Sequence, residues 1–352
     1  MNGRAAVVTG LGGWLPPDRV TNDDLARQLD TTDEWVTTRT GIRQRFVVPP
    51  GLSTSDLAVR AGARALASAG TDTVDLLVLA TSTPDHPCPA TAPEVAGRLG
   101  LGEIPAFDVA AVCTGFVYAL ATASSMIRAG IAGSALVIGA DTFSTILDPE
   151  DRTTRAIFGD GAGAVVLRAG DLGERGALLG FDLASDGTQA DLITVPGGGS
   201  EYRSKGLAAP GDEFFTMQGR SVFRNAVTRM SESSRRLAKQ LDWPLESIDR
   251  LVAHQANIRI LTAVGSELGL SEEKLVVNID RVGNTVAASV PLALVDAVHA
   301  GSITPGQRTL LCGFGGGLTW GAAAVEFPEL SVEPLPGLPT PAESVRTSRI
   351  HP

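Results

Sequence analysis

Residues 107–130, FDVAAVCTGFVYALATASSMIRAG, run from a short apolar strand pattern through one cysteine into a long apolar helix pattern. The segments before them alternate in the same way. Residues 54–70 form an Ala-rich helical pattern, and residues 74–80 form an aliphatic strand pattern. Strands separated by helical stretches indicate βαβ units around a largely parallel, buried sheet. The sequence therefore predicts the α/β class.

A repeat relates the two ends of the chain. Residues 74–78 (VDLLV) match residues 248–252 (IDRLV), and residues 135–139 (ALVIG) match residues 309–313 (TLLCG). Both matches have the same difference in residue number, which we call the repeat offset. An equal offset for two strand patterns predicts that two duplicated halves share one plan. Chance similarity between buried aliphatic strands is the alternative.

A third match has a slightly smaller offset. Residues 126–130 (MIRAG) and 297–301 (AVHAG) each end a helical pattern, and their difference in residue number falls short of the repeat offset by three. At this smaller offset Cys113 falls opposite Asn284. We expect a loop to absorb the three-residue difference.

The pattern divides the chain into three parts. A charged, Gly-rich passage at residues 168–175 interrupts the alternation, which then resumes. We predict an N-terminal half at residues 1–172 and a C-terminal half at residues 173–328. Residues 329–352 are rich in proline and have no periodicity, so we predict a disordered or loosely draped tail there.

The composition argues against several classes of protein. The 352 residues carry a formal charge of −10 with Lys and Arg scattered, so no basic patch indicates nucleic-acid binding. No apolar run is long enough to span a membrane, and the N-terminal MNGRAAVVTG has a strand pattern instead of a signal-peptide pattern. Three cysteines in so long a chain do not make a disulfide framework. We expect a cytoplasmic protein that binds neither nucleic acid nor membrane.

The three cysteines differ in their surroundings. Cys113 lies at a strand-to-helix turn, where the helix N-terminus favours a thiolate and small neighbours let a carbonyl approach its backbone N–H. This pattern indicates a nucleophile with half of an oxyanion hole, and an inert core cysteine is the alternative. Cys312 lies within an aliphatic strand pattern and is predicted to be such a core residue. Cys88 lies between two prolines in a loop, and the pattern alone assigns it no role.

Two further polar residues follow strand patterns. His254 ends the strand DRLVA, and functional side chains collect at such strand ends in α/β sheets. A structural histidine is the alternative. Asn284 lies in a turn into a helix, where it is either a catalytic amide or only an N-cap.

Two Gly-rich segments complete the candidates. Residues 158–167 precede a strand instead of following one, so a tight turn is favoured over a phosphate-binding loop. Residues 314–320 follow a strand, and their three consecutive glycines suit either close approach to a ligand or a wide turn. Neither zinc-ligand spacing nor a Walker lysine is present, so we expect no metal and no bound cofactor.

Over about residues 4–328 the chain resembles the β-ketoacyl-acyl carrier protein synthase III family of thiolase-fold condensing enzymes. The resemblance implies two βαβαβαββ halves that form a five-layered αβαβα sandwich, and a homodimer. It is carried by motifs in the family's order: TTDEWVTTRTGI (31–42), AAVCTGF (110–116), DRTTRAIFGDGAGAVVL (151–167), MQGRSVF (217–223), HQANIRI (254–260), GNTVAASVPLAL (283–294) and GFGGGLTWG (313–321).

The resemblance also implies the chemistry. The family's catalytic cysteine, histidine and asparagine fall on Cys113, His254 and Asn284, and its oxyanion hole on the backbone N–H groups of Cys113 and Gly316. The implied reaction transfers an acyl group from CoA to Cys113. Decarboxylation of malonyl-ACP then generates an enolate, held by His254 and Asn284, which attacks the acyl group to give β-ketoacyl-ACP and CO₂.

Binding residues follow from the same resemblance. Trp35 and Arg152 match positions that sandwich the CoA adenine. Arg39 matches a phosphate contact, and Asn257 one to the pantetheine arm.

Partner-facing residues form a second group. Arg224 and Arg259 match basic positions that dock the acyl carrier protein, and a local basic patch is needed because the whole chain is acidic. Cys88 stands where some members place a phenylalanine that closes the acyl pocket of the partner subunit. A smaller side chain predicts a larger or branched primer.

Two other functions remain open at this point. An acyltransferase on the same scaffold would move an acyl group from CoA or ACP to a hydroxyl or amine. A non-catalytic module would only bind CoA or ACP. Asn284 beside His254 favours condensation, because simple acyl transfer requires no pair of donors for an enolate.

Overall fold

A computed structural model of the chain describes residues 3–206 and 209–338. Helices and strands alternate along it, as the sequence predicts for the α/β class. The strands are β1 (Arg4–Trp14), β2 (Asp18–Thr21), β3 (Gln44–Val47), β4 (Leu77–Ala80), β5 (Ala106–Val109), β6 (Ser134–Asp141), β7 (Gly161–Asp171), β8 (Leu178–Ser185), β9 (Ile193–Thr194), β10 (Thr216–Met217), β11 (Arg250–Ala253), β12 (Arg308–Gly315) and β13 (Thr319–Glu326). The α-helices are α1 (Asn22–Ala26), α2 (Asp33–Thr40), α3 (Thr54–Ala69), α4 (Ala92–Arg98), α5 (Gly115–Arg128), α6 (Arg152–Arg155), α7 (Ser200–Lys205), α8 (Gly219–Gln240), α9 (Ile258–Glu267), α10 (Ile279–Val282) and α11 (Ser289–His299).

Two sheets repeat one topology. The first has the strand order β1-β7-β6-β4-β5, and the second has the order β8-β13-β12-β11. In the first sheet, β1 pairs with β7 and β7 with β6 in antiparallel fashion, and β6 pairs with β4 in parallel. In the second sheet, β8 pairs with β13 and β13 with β12 in antiparallel fashion, and β12 pairs with β11 in parallel. β6 and β12 correspond over their whole lengths at the repeat offset. The duplicated plan is therefore confirmed.

The elements stack in five layers. α5 and α11 lie between the sheets, and each contacts strands of both. α3 and α4 cover the outer face of the first sheet, while α8 covers the outer face of the second and packs against α9. α3 packs close to β1, since a Cβ at Gly10 or Gly12 would lie 2.4 Å from backbone atoms of Ala65. This order of layers is the predicted αβαβα sandwich.

The repeat offset extends into the turns that precede the central helices. Short 3₁₀ turns at Val112–Thr114 and Val286–Ala288 lead into α5 and α11. Val112 and Val286 both have a positive φ, 45° and 53°. The expected pairing of Cys113 with Asn284 is thus wrong, and Cys113 corresponds to Ala287. The smaller offset of the helix ends arose because α11 has 11 residues and α5 has 14, so their ends differ by three residues.

The predicted division at residues 172 and 173 lies between β7, the last strand of the first sheet, and β8, the first strand of the second. The tail begins differently from the expectation. Residues 329–338 are packed instead of disordered: Leu335 is buried, and Arg64 and Ser68 of α3 donate hydrogen bonds to backbone oxygens of this segment. Residues 339–352 lie outside the described part of the chain. No helix in the described ranges is long and apolar enough to cross a membrane.

Candidate active site

Cys113 lies in the strained turn between β5 and α5. Val112 before it adopts a left-handed φ of 45°, which a β-branched residue reaches only at a cost of about 1–3 kcal/mol. The Thr114 N–H closes the turn on the Ala111 carbonyl at 3.0 Å. β12 presses on the turn from the other half, and a Cβ at Gly315 would lie 2.7 Å from Cys113 N. The opposing sheet therefore fixes the position of the thiol.

The electrostatics of Cys113 differ from the sequence expectation. Burial among apolar groups and the nearby Asp141 carboxylate raise the pKa of the Cys113 thiol well above its usual range, while its own N–H lowers it. The helix N-terminus favours a thiolate, but burial outweighs it. The resting group is therefore a thiol, and it requires a base before it can attack a carbonyl.

His254 follows the last residue of β11 and is buried. Its N–H donates to the Cys312 carbonyl at 2.8 Å, and its Nδ1 lies 2.6 Å from Ser289 Oγ at the start of α11. Burial lowers the pKa of His254 to about 3. The imidazole is therefore neutral near pH 7. The Ser289 hydroxyl also accepts the Gln255 N–H at 3.3 Å, so the group that holds the ring is itself fixed by the backbone.

The amide of Asn284 has a fixed orientation. Its Oδ1 accepts the Val286 N–H at 3.0 Å, which directs the Nδ2 donor away from that turn. Its backbone pairs with the segment around Phe158, because Asn284 N donates to the Ile157 carbonyl at 3.0 Å and the Gly159 N–H donates to the Asn284 carbonyl at 2.9 Å. Asn284 is not the N-cap of α11, which is Ala288.

One cavity of about 160 Å³ brings Cys113, His254 and Asn284 together. Its other lining residues are almost all apolar, and they come from both halves. Three phenylalanines pack against one another beside Cys113, with ring centroids 4.8 to 5.1 Å apart. The cavity is lined further by Val112, Phe143, Ile157, Phe158, Ile193, Phe215, Met217, Gly219, Val222, Phe223, Ala226, Met230, Ala256, Asn257, Ile260 and Phe314.

Gly316, the predicted second oxyanion donor, lies just after β12. A Cβ there would contact Ile193 at 3.1 Å, whereas its neighbour Gly315 is the residue against Cys113. No hydrogen bond from the N–H of Cys113 or of Gly316 to an oxygen is found in residues 3–206 and 209–338. Both donors remain candidates for the oxyanion hole.

The predicted adenine site is a cluster around Trp35. The guanidinium groups of Arg39 and Arg152 lie over the Trp35 ring, 4.6 and 5.1 Å from its centroid. Arg152 also pairs with the Asp30 carboxylate at 3.1 Å. Because Arg152 already covers the indole, it must move before an adenine can enter between them.

Asn257 lines the cavity and caps α9. Its Oδ1 accepts the Arg259 N–H at 2.8 Å, and its Nδ2 donates to the Arg39 carbonyl at 3.0 Å. Arg224 on α8 and Arg259 on α9 are both exposed, and neither forms a salt bridge in the part of the chain that the structure describes. Since α8 and α9 also line the cavity, these two cations lie on elements that border it.

The structure leaves Cys88 apart from this chain's own cavity. It is exposed in a loop at residues 84–90 that is itself mostly exposed. Cys312, as predicted, is buried in the core. The described residues contain no group of three or more His, Cys, Asp and Glu side chains that could hold a metal ion.

Sequence reasoning missed three contributors to the site. Ser289 holds the imidazole, Asp141 faces the turn before α11, and Phe143 with Phe215 forms the aromatic wall. The repeat could have drawn attention to Asp141. At the repeat offset it pairs with Gly315, which ends β12 and belongs to the glycine-rich segment at residues 314–320.

The comparisons agree with this geometry. Family models described as 3-oxoacyl-[acyl-carrier-protein (ACP)] synthase III match residues 107–187, and their C-terminal counterpart matches residues 238–327. Beta-ketoacyl-[acyl-carrier-protein] synthase III 5 of Streptomyces coelicolor is 60% identical over 328 residues, which cover 93% of this chain and 98% of that protein. The chain belongs to the 3-oxoacyl-[acyl-carrier-protein] synthase III family.

Solved structures place this synthase III chain in the same fold. The crystal structure of 3-oxoacyl-(acyl carrier protein) synthase III from Pseudomonas aeruginosa PAO1 has a TM-score of 0.88 and 53% identity, and covers 93% of this chain and 99% of that one. The priming β-ketosynthase of the R1128 polyketide biosynthetic pathway has a TM-score of 0.87 and 31% identity, and covers 94% of this chain and 98% of that one. The thiolase-like fold class is confirmed.

Proposed function

We propose that this chain catalyses the decarboxylative Claisen condensation of an acyl-CoA primer with malonyl-ACP. The products are β-ketoacyl-ACP and CO₂, and the reaction starts a fatty-acid or polyketide chain. The observation that carries the proposal is the convergence of Cys113, His254 and Asn284 on one apolar cavity. The relatives named as synthase III enzymes and the polyketide-priming neighbour support both pathway assignments.

In the first step the Cys113 sulfur attacks the thioester carbonyl of the primer. Because the resting thiol is protonated, neutral His254 accepts its proton as the bond forms. The N–H groups of Cys113 and Gly316 stabilise the oxyanion. The tetrahedral intermediate then expels CoA, which leaves as its thiol with the proton from His254.

In the second step malonyl-ACP loses CO₂, and negative charge develops on its thioester oxygen. His254 Nε2 and Asn284 Nδ2 donate hydrogen bonds to that oxygen. The resulting enolate carbon attacks the acyl carbonyl and expels the Cys113 thiolate, which takes a proton from solvent to restore the resting thiol. The Ser289 hydroxyl either donates to or accepts from His254 Nδ1, so Nε2 can serve as acceptor in the first step and as donor in the second.

Separate groups of residues bind CoA and the acyl carrier protein. Trp35, Arg39 and Arg152 offer a stacking surface and two cations to the adenine and phosphates of CoA, and Asn257 contacts the pantetheine arm. The exposed cations Arg224 and Arg259 dock the acidic carrier protein, against the net repulsion of a chain with charge −10. No resident cofactor takes part. Among the described residues all three cysteines are free, which supports a cytoplasmic location.

The proposal includes a homodimer. β5 is the outer strand of the first sheet and pairs only with β4 in the described ranges, so its other edge is available to a second copy. The exposed loop at residues 84–90 is followed along the chain by α4 and then by β5, and α4 packs against β5. In the dimer this loop brings Cys88 to the partner's acyl pocket, where its small side chain admits a larger or branched primer.

Mass spectrometry tests the first step directly. The wild-type protein mixed with a panel of acyl-CoAs should gain one acyl group on Cys113, and Cys113→Ala should gain none. Addition of malonyl-ACP should then release CO₂ and give β-ketoacyl-ACP. Transfer of the acyl group to an alcohol or amine without CO₂ release would favour the acyltransferase alternative, and absence of any acyl adduct would favour a binding module.

A further inference from the structure

The duplication gives two residues, Asp141 and Gly315, equivalent positions in the two halves. Asp141 is the last residue of β6, and Gly315, its counterpart at the repeat offset, is the last residue of β12. β6 packs against the turn at Val286–Ala288, and β12 packs against the turn at Val112–Thr114. Each of these strands therefore packs against the 3₁₀ turn that belongs to the other half.

In the N-terminal half, the carboxyl side chain of Asp141 occupies this position. Asp141 Oδ2 accepts the Ala287 N–H at 3.0 Å. Its Oδ1 accepts the Ser82 N–H at 2.7 Å and lies 3.1 and 3.3 Å from the hydroxyls of Thr83 and Thr81. Asp141 is fully buried, so no solvent competes for the Ala287 N–H that its Oδ2 accepts.

In the C-terminal half, the equivalent residue is Gly315 and has no side chain. The Cys113 nitrogen lies against Gly315, because a Cβ on residue 315 would lie 2.7 Å from it, within the distance of a hydrogen-bond acceptor. No protein oxygen in the described ranges accepts the Cys113 N–H. The two halves therefore differ in one respect. The N–H of Ala287 donates to a protein oxygen, whereas the N–H of Cys113 donates to none in the described ranges.

We propose that Gly315 is a positioning residue that keeps the Cys113 N–H open for the carbonyl oxygen of the acyl thioester. In the half without a nucleophile, Asp141 Oδ2 occupies the place that the substrate oxyanion takes in the other half. In each half an oxygen is held by a backbone N–H at the start of a central helix. This inference rests on the proposed function, and it concerns the acylation step only.

The test compares two reactions of the same thiol. Acylation by acyl-CoA passes through an oxyanion, whereas alkylation by iodoacetamide displaces iodide and forms none. In Gly315→Ala we expect the acylation rate to fall by about 10²–10³-fold, the typical loss of one oxyanion donor, with alkylation changed by only a few fold. Gly313→Ala is the matched control. Its Cβ meets Cys113 O at 3.3 Å on the same turn, away from the N–H, so both of its rates should stay close to wild type.

A second measurement does not depend on the variant folding. In a crystal structure of the acylated wild-type enzyme, residues 286–288 are superposed on residues 112–114. Asp141 Oδ2 should then fall on the acyl oxygen, which should lie within hydrogen-bond distance of Cys113 N. An acyl oxygen elsewhere, wild-type acylation in Gly315→Ala, or a parallel loss of acylation and alkylation would overturn the inference. A wild-type protein that no acyl-CoA acylates would instead overturn the proposed function.

Discussion

At the scale of single residues, the site depends on what burial does to ordinary side chains. His254 is neutral because its imidazole is buried, and Ser289 holds it by Nδ1. In the proposed mechanism a neutral ring accepts the Cys113 proton in one step and donates a hydrogen bond in the next. A protonated ring would serve only the second role. The proposal therefore depends on the burial that keeps His254 neutral.

The first prediction concerns His254 and pH. Its pKa falls from 6.5 in the unfolded chain to about 3 in the folded protein, so only the unfolded chain binds this proton between those values. Stability from this group is therefore lost as pH falls from 6.5 toward 3, by up to about 1.4 kcal/mol per pH unit. Denaturant unfolding between pH 4 and 7 should show a shallower loss in His254→Asn than in wild type. Parallel curves would contradict the assignment.

That comparison must be made as a difference from wild type. Burial raises the pKa of Asp141 to about 7 and that of Asp160 to about 6, so the folded protein holds protons there that the unfolded chain releases. These two groups lower stability as pH rises, which is the opposite sign. Subtracting the variant's curve from the wild-type curve leaves only the His254 contribution.

The second prediction separates the two half-reactions at Asn284. In Asn284→Asp a carboxylate oxygen still accepts the Val286 N–H, but the Nδ2 donor is lost and a negative charge faces the developing enolate. Decarboxylation of malonyl-ACP should slow by about 10²–10³-fold or more. Acylation of Cys113, followed by mass spectrometry, should remain within a few fold of wild type. A loss confined to acylation would remove Asn284 from the enolate step.

At the scale of elements, the packed segment at residues 329–338 is the clearest departure from the sequence reading. Leu330, Val332, Leu335 and Leu338 contact the main core, although prolines between them prevent any periodic pattern. Proline disrupts helix and strand periodicity but does not prevent an extended segment from burying every second or third side chain. The pattern rules recognise regular elements, so they assigned this segment to a tail.

The third prediction tests that segment. Leu335 is 4% exposed, and Leu335→Ala should lower the free energy of unfolding by about 2–5 kcal/mol. Glu333→Ala is the matched control two residues away. Its salt bridge with Arg64 is exposed, so its loss should cost less than about 1 kcal/mol. Equal effects of the two changes, measured by denaturant unfolding, would show that the segment adds no core.

The limits of the sequence reading have a common physical origin. Strand ends and strand-to-helix turns marked Cys113, His254 and Asn284 as candidates but left structural roles open for each, and the family resemblance was needed to choose the catalytic interpretation. Ser289 escaped notice because it is far from His254 in the chain and meets it only in the folded half. Phe215 escaped notice because its partners Phe143 and Phe158 belong to the other half. The raised pKa of the Cys113 thiol was missed because the surroundings that raise it are assembled only in the folded chain.

At the scale of the whole molecule, the two halves meet through α5 and α11, and their sheets differ at the outer edge. The second sheet ends at β11, beside which Leu275 forms only an isolated bridge with Leu251. The first sheet adds β5 as a full strand with an unpaired edge in the described ranges. Association through β5 would continue the sheet into a second copy, and it explains why one half alone carries the extra strand.

The fourth prediction concerns primer choice across that association. Cys88→Phe should narrow the partner's pocket and shift the ratio of kcat/KM for acetyl-CoA over a branched acyl-CoA by at least about tenfold toward acetyl-CoA. Cys88→Ser preserves the size of the side chain and should leave the ratio nearly unchanged. Analytical ultracentrifugation should show a dimer for all three proteins. An unchanged ratio in a dimeric Cys88→Phe enzyme would place the pocket wall elsewhere.

The left-handed valines carry a last consequence. Val286 is as contorted as Val112, yet no nucleophile follows it. The contortion at the reactive turn therefore belongs to the architecture that both halves inherited, and it is not an adaptation to catalysis. A survey that located reactive centres by left-handed residues before a central helix would find two in the described residues, and only one of them precedes a nucleophile.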